Sequence, residues 1–445
     1  MNKLIPITII LLTLLPLGIL NSVSPKPMPA PQVQPQPLAK GSTVQLTPVE
    51  QLGKALFFDE NLSKYRNQSC ASCHDPAVGY TGGADPEDSW TNILSGVYAG
   101  SDAKLFGNTK PPSAAYAGDS PVLHYDEKEA EWVGGMFNDG RASGKELGDP
   151  LAEQAKGPFL NPLEMALNSA DELRQRVKES SYVALFNQAW GQNAIDANVT
   201  VVYNQIGKSL AAYERSVEVN PHNSKFDLFW DNAKTQRLDV TQIGLMNWPM
   251  YRNLGLSDNE LYGLAVFNDP MAADCASCHS LKPGSGGYPL FTDYAYDNIG
   301  GPRNPQNPYY TSPSNAEGVN WVDKGLGGYF EQTQPANATR AMGLIKTPTL
   351  RNVDKRPSAD FVRAYGHNGV FKSLPQVIDF YWTRSWTMCM GGMGMRGVGM
   401  RGMGWMMVPP PEVNMNIALT NSFPRGVEPY LYLFLTTLSD GYFNR

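Results

Sequence analysis

The sequence is short of charge. Asp, Glu, Lys and Arg make up 18% of its 445 residues, below the ~25% usual in soluble proteins. The charge present leans acidic, with 42 Asp and Glu against 36 Lys and Arg. That excludes a nucleic-acid binder, which needs a basic face. Long apolar runs are also scarce. Only the run from Leu4 to Leu20 is long enough to matter, so a multi-span membrane protein is excluded. Five cysteines are too few for a disulfide scaffold of this length, and their spacing carries the information instead. Hydrophobic and aromatic residues are not scarce, at 42% and 11%, which excludes disorder. The length fits two or three domains. Gly (42) and Pro (35) exceed a sixth of the chain, so loops and turns are plentiful.

Lys3, the run to Leu20 and then Asn21-Ser22-Val23-Ser24 read as a secretory signal over residues 1–24. No A-x-A precedes a cut, and Pro25 follows Ser24. The alternative is a run retained as a single N-terminal membrane anchor. Either reading exports the folded part, which points to the periplasm. No lipobox cysteine follows the run. Residues 25–45 are a Pro-rich linker, with six prolines in 25–40, and form an extended tether.

A duplication organises the rest. The pentapeptide Cys-Ala-Ser-Cys-His occurs at Cys70–His74 and again at Cys275–His279. Upstream, Leu46-Thr47-Pro48-Val49-Glu50 matches Leu256-Ser257-Asp258-Asn259-Glu260. Each contains the S/T-x-x-E capping box that starts a helix. Each helix then continues Glu-x-x-Gly-x-x-x-Phe, through Glu50, Gly53, Phe57 and Glu260, Gly263, Phe267. The repeat predicts an N-terminal domain over 46–235 and a C-terminal one over 236–445. Helical spacing marks 151–156, 170–190 and 198–217. Residues 75–125, 280–340 and 385–425 read as loop. The stretch 388–407 holds eight Met in twenty residues, plus Cys389. Soft thioethers suit Cu(I); a flexible apolar loop is the simpler reading and the one preferred.

C-x-x-C-H is the attachment site of c-type haem. Two thiols three apart add to the two vinyl groups on one porphyrin edge. The following imidazole then lies beneath the iron, where it is a good axial ligand. Zinc sites space their cysteine pairs by tens of residues, not by 205. A dithiol redox pair or a structural disulfide gives no reason for a histidine in both copies. Cys70, Cys73 and His74 therefore hold one haem c, and Cys275, Cys278 and His279 a second. The expected fold is mainly α: two tandem cytochrome c-like haem domains with long loops.

The sequence then resembles the bacterial di-haem cytochrome c peroxidases, including the MauG-type enzymes, over most of residues 46–385. The blocks that carry the likeness are Phe137-Asn138-Asp139-Gly140-Arg141-Ala142, Glu153-Gln154-Ala155, Gly157-Pro158 and Asn161-Pro162-Leu163-Glu164-Met165. In the second half they are Phe291-Thr292-Asp293, Asn298-Ile299-Gly300, Thr347 to Asn352 and Tyr365 to Gly369. The resemblance implies that hydrogen peroxide reacts at the His74 haem. It implies electrons entering through the His279 haem from a small donor, a cytochrome c or a cupredoxin. It makes Glu164 the distal acid–base, with Gln154 and Pro158 lining the same pocket. Members of the family often dimerise and bind one calcium between the haems, for which Asn108 is the side-chain candidate.

Three departures bear on mechanism. No histidine occurs from Asp75 to Leu123, where many family members carry one that blocks the first iron; His124 is the one replacement available. Asn138 stands where the family usually has Trp, a relay between haems, so electrons pass directly or through another aromatic such as Trp132. Alignment of residues 373–380 puts Tyr381 at the position of the second iron's sixth ligand, with a nearby Met such as Met388 as the alternative. A tyrosinate there would lower the potential of that iron. His222, after Pro221, reads as a surface turn residue, and His367 as a hydrogen-bonding neighbour of the second haem. Three functions follow: a peroxidase; a MauG-like enzyme oxidising aromatic residues of a partner protein; and a non-enzymatic electron carrier. The last has no use for the distal acid of the NPLEM block.

Overall fold

The structure, a computed structural model, describes residues 45–84, 95–391, 410–418 and 423–443, without the side chains of 384–391. The signal or anchor over 1–24, the linker up to residue 44, and the Met-rich segment with the side chains of Met388 and Cys389 lie outside it. From residue 45 onward the described chain belongs to one compact unit.

Both capping boxes form as read. The Thr47 side chain accepts from the Glu50 backbone N–H, and Glu50 returns the bond to the Thr47 N–H at 2.7 Å. Ser257 and Glu260 do the same, also at 2.7 Å. These caps start the Pro48–Phe57 and Asp258–Asn268 helices. Each helix crosses a later one at its glycine. A Cβ on Gly53 would run into the Ser209 carbonyl oxygen and lie 2.8 Å from Tyr213 Cβ. On Gly263 it would meet the Tyr430 carbonyl oxygen and lie 3.0 Å from Phe434 Cβ. The partners belong to the Val199–Arg215 and Glu428–Thr436 helices. Only a missing side chain permits so close a crossing.

The same aromatic triad fills the angle in both halves. Phe57 meets Tyr213 at 5.4 Å and Tyr80 at 6.1 Å, edge to face. Phe267 meets Phe434 at 5.1 Å and Phe291 at 6.1 Å. Around these triads lie two buried cores, one including Leu52, Phe57, Phe159 and Leu210, the other Phe229, Leu264, Phe267 and Phe434. The Lys225–Thr235 helix, before the 235/236 boundary drawn from the sequence, buries Phe226, Phe229 and Ala233 in the second core. Its capping box pairs Ser224 with Asp227.

Other expectations are met unevenly. The 151–156 and 198–217 patterns are the Pro150–Leu160 and Val199–Arg215 helices. The 170–190 pattern is two helices, Ala170–Lys178 and Val183–Trp190. The break falls where the Ser180 hydroxyl donates to the Val177 carbonyl oxygen at 2.7 Å, offering the backbone an alternative partner. The loop expected from 280 contains the short Leu326–Thr333 and Pro335–Ala338 helices, and the one expected from 385 begins inside the Leu374–Gly391 helix. Strands among the described residues are short. β1 (His124–Asp126) pairs antiparallel with β2 (Glu131–Val133), and β3 (Tyr296–Asp297) with β4 (Ile345–Lys346).

Two polar clusters tie distant segments together. Arg351 and Asp227, both fully buried, pair at 2.7 Å, and Arg351 Nε donates to the Pro289 carbonyl oxygen at 2.8 Å. The Asp440 carboxylate accepts from Tyr116 Oη at 2.8 Å, Asn352 Nδ2 at 2.9 Å and the Asn223 backbone N–H at 3.3 Å. It therefore joins a residue of the first core to the second half.

Candidate functional site

Each Cys-x-x-Cys-His is wound into one helical turn. The His74 N–H donates to the Cys70 carbonyl oxygen at 2.9 Å, and the His279 N–H to that of Cys275 at 2.8 Å. One turn places two thiols and an imidazole on one side of the chain. Neither imidazole is left to rotate. His74 Nδ1 lies 2.9 Å from the Tyr80 carbonyl oxygen, and His279 Nδ1 lies 2.9 Å from that of Phe291. Tyr80 and Phe291 hold left-handed backbone, at φ 60° and 54°, which turns those carbonyls onto the rings. The carbonyls of Pro112 and Pro348 also act on the two rings. Burial lowers the pKa of His74 to about 4 and that of His279 in the same direction, so both rings are neutral near pH 7. A neutral imidazole with Nδ1–H held by a carbonyl presents Nε2 as a metal ligand. Burial pushes the Cys70 and Cys275 thiols up, the latter to about 12, and none of the four motif cysteines is in a disulfide. Protonated thiols flanking a fixed, neutral imidazole fit haem c attachment twice over.

Glu164 lies on the first of these sites. The Pro150–Leu160 helix is capped by Asn161, and the chain folds back so that the Met165 N–H donates to the Pro158 carbonyl oxygen at 3.1 Å. Glu164 is held in that return by its N–H to the Asn161 carbonyl oxygen at 3.0 Å. Gln154 and Pro158, four apart, share a helix face, and Gln154 is buried. The Glu164 carboxyl sits within electrostatic range of Cys70. Burial raises its pKa, against the opposite pull of the Arg141 charge and the Asn161 side chain. Its Oε2 is buried without a hydrogen-bond partner. A carboxyl oxygen left open beside the site is what a proton-transfer group needs.

A cavity lies between the two sites. Its walls include Pro112 and Pro348, whose carbonyls act on the two imidazoles, together with Asn138, Tyr294 and Lys346. Asn138 therefore stands between the sites, its carbonyl oxygen accepting from the Lys346 N–H at 3.0 Å. Trp132 is elsewhere, packed on Phe330 at 4.6 Å and Tyr125 at 5.1 Å. Tyr294, not singled out in the sequence, is the aromatic residue of this wall between the prolines with a buried hydroxyl lacking a partner.

Comparison with known proteins decides the family. The pattern described as di-haem cytochrome c peroxidase matches residues 48–235. The methylamine utilization protein MauG of Paracoccus denitrificans is 31% identical over 349 residues, 77% of each chain. The chain belongs to the di-haem cytochrome c peroxidase/MauG family. A cytochrome-c peroxidase, IdrP2, of Pseudomonas sp. strain SCT is 27% identical over 78% of this chain and 76% of its own. Among solved structures, the di-haem peroxidase BthA of Burkholderia thailandensis superposes with a TM-score of 0.63 at 27% identity, covering 90% of this chain and 88% of that one. Two c-type haems and the mainly helical, cytochrome c-like fold follow from membership.

Against that family, Tyr381 lies in the Leu374–Gly391 helix, packed on the second core beside Cys275. Burial raises its pKa, and Cys278 and Cys275 add to the rise, so its ring lies at the second attachment site. His124 is exposed on β1, its Nδ1 2.8 Å from the Val122 carbonyl oxygen. His222 is not the surface turn residue expected. It stacks on Tyr288 at 4.8 Å and meets Tyr116 edge-on at 4.9 Å, because its left-handed backbone (φ 48°) turns the ring inward. His367 Nε2 lies 3.7 Å from both Asp323 Oδ2 and Glu412 Oε2; these carboxylates raise its pKa against burial. The Asn108 backbone carbonyl accepts from Asn307 Nδ2 at 2.8 Å. No group of three or more His, Cys, Asp or Glu among the described residues is placed to hold a metal ion.

Proposed function

We propose that the protein is an exported di-haem peroxidase that reduces hydrogen peroxide to two water molecules with two electrons and two protons. The haems, once attached, supply the redox chemistry of iron; the chain supplies the rest. His74, kept neutral by burial and oriented by the Tyr80 carbonyl, would hold the iron at which peroxide reacts. Glu164 takes the proton from the inner peroxide oxygen at its unpartnered carboxylate and delivers it to the outer one, as O–O cleavage requires. Gln154 and Pro158 wall that space. His279 and Tyr381 would hold the second iron, where electrons would enter from a small cytochrome c or cupredoxin. The acidic balance of the chain favours a donor with a basic face. The observation that carries this reading is Glu164 Oε2, buried and without a partner beside Cys70.

Stopped-flow absorption of the fully ferric holoprotein with one equivalent of peroxide tests it. A fast Soret change without prior reduction is expected, since no histidine lies between Asp75 and Leu123 to block the iron. No reaction in either the ferric or the half-reduced state would leave a non-enzymatic electron carrier.

A second reading, oxidation of aromatic residues on a partner protein, is favoured by the Tyr381 ring at Cys278 and by the likeness to MauG. It predicts that peroxide oxidising equivalents persist without a donor and are discharged by a protein substrate.

A further inference from the structure

Lys110 and Lys346 occupy matching places. Lys110-Pro111-Pro112-Ser113 and Lys346-Thr347-Pro348-Thr349 each place a lysine two residues before the proline whose carbonyl acts on a haem histidine. Desolvation lowers the pKa of each lysine to about 7. Their surroundings differ in sign. Lys346 has a carboxylate in range, Asp293, as well as the Tyr294 carbonyl oxygen at 3.1 Å from Nζ. Among the described residues, the charged group acting on Lys110 is another cation, Arg363.

Lys110 and Arg363 line one small cavity with Val78, Thr81 and Tyr98. The Lys110 ammonium has three donors; Thr81 Oγ1 and the Pro111 carbonyl oxygen take two. Arg363 is 7% exposed. Its Nη1 donates to the carbonyl oxygens of Asn352 at 2.6 Å and Lys355 at 2.8 Å, while its Nε is buried without a partner. The carboxylate in its range, Asp354, pairs with Arg356 at 3.1 Å. Two cations facing one buried space repel each other and lose hydration, and an anion between them offsets both costs. Lys110 is also close enough to His74 to depress its pKa, which puts this space at the first haem.

We infer that Lys110 and Arg363 form an anion site at the His74 haem, and that its occupant is a carboxylate of that haem. This rests on haem attachment at Cys70 and Cys73, not on peroxidase activity.

The test uses holoprotein, with Lys110→Met, the charge-keeping Lys110→Arg, and Arg363→Lys. The midpoint potential of the His74 haem is read by spectroelectrochemistry, and its propionate bending band by resonance Raman, each across a chloride series and after calcium chelation. Losing the cation in Lys110→Met is expected to lower the midpoint, because a positive charge stabilises the added electron, and to shift the propionate band. Lys110→Arg is expected to retain both, and Arg363→Lys to shift the band partway. A wild-type midpoint that follows chloride, with the response lost in Lys110→Met, would keep the cationic site but overturn the haem carboxylate as its occupant. A band and midpoint indifferent to Lys110→Met and Arg363→Lys, or a midpoint that follows calcium instead, would overturn it. If Lys110→Met gives no holoprotein, an unmoved band in Arg363→Lys would overturn it equally.

Discussion

Among the described residues, Glu164 is one of two buried glutamates near the first haem with an unpartnered oxygen; Glu214 is the other. They predict different things. For Glu164, the carboxylate is the proton-accepting form, so the rate of peroxide reaction should rise with pH through a limb above the usual carboxylate range. Glu164→Gln should remove that limb and slow the reaction about 10²–10⁴-fold, with the Soret band of the resting protein retained; stopped-flow rates against pH check both. Glu214 has its pKa raised by burial from 4.5 to about 8. The fold then holds its proton more tightly than the unfolded chain does. Its stabilising effect is complete below about 4.5 and is lost as pH rises to about 8. Glu214→Gln should flatten that slope and leave the variant the more stable protein at pH about 8, as read by chemical denaturation of the holoprotein. Neither role could be read from residue identity alone. Glu164 stood out through the block around it, whereas nothing near Glu214 distinguishes it from a solvated helix residue. The carbonyls of Tyr80 and Phe291 carry no side-chain signal at all.

At the scale of elements, the duplication was legible because it rests on residues with few substitutes. A capping box needs Ser or Thr and Glu at fixed spacing, and the helix crossing needs glycine. Gly53→Ala and Gly263→Ala should each cost about 1–3 kcal/mol or more by overpacking, since the new Cβ meets a carbonyl oxygen, not the end of a flexible side chain. Thermal unfolding of each holoprotein measures this, and a loss under half a kilocalorie would mean the helices slide apart freely. Periodicity was a weaker guide. It ran 170–190 together across the Ser180 break, and it passed over the Lys225–Thr235 helix although Ser224 and Asp227 mark its start. The Lys110–Arg363 pair was beyond reach, because 253 residues of chain separate them and only the fold supplies their proximity.

For the molecule as a whole, the Arg351–Asp227 pair sets a measurable cost. Both side chains are fully buried, so Arg351→Met strands a carboxylate in the core and should destabilise the protein by about 3–5 kcal/mol. Arg351→Met combined with Asp227→Leu should recover much of that, because no buried charge is then left alone; denaturation of single and double variants separates the two terms.

The Asp440 cluster adds a matter of timing. Its carboxylate holds Tyr116, Asn352 and Asn223, yet residue 440 is synthesised after both Cys-x-x-Cys-His turns. Domains fold in the order they emerge. The first half can therefore present Cys70 and Cys73 before its link to the second is made. Closure of this last link follows once residue 440 has been made.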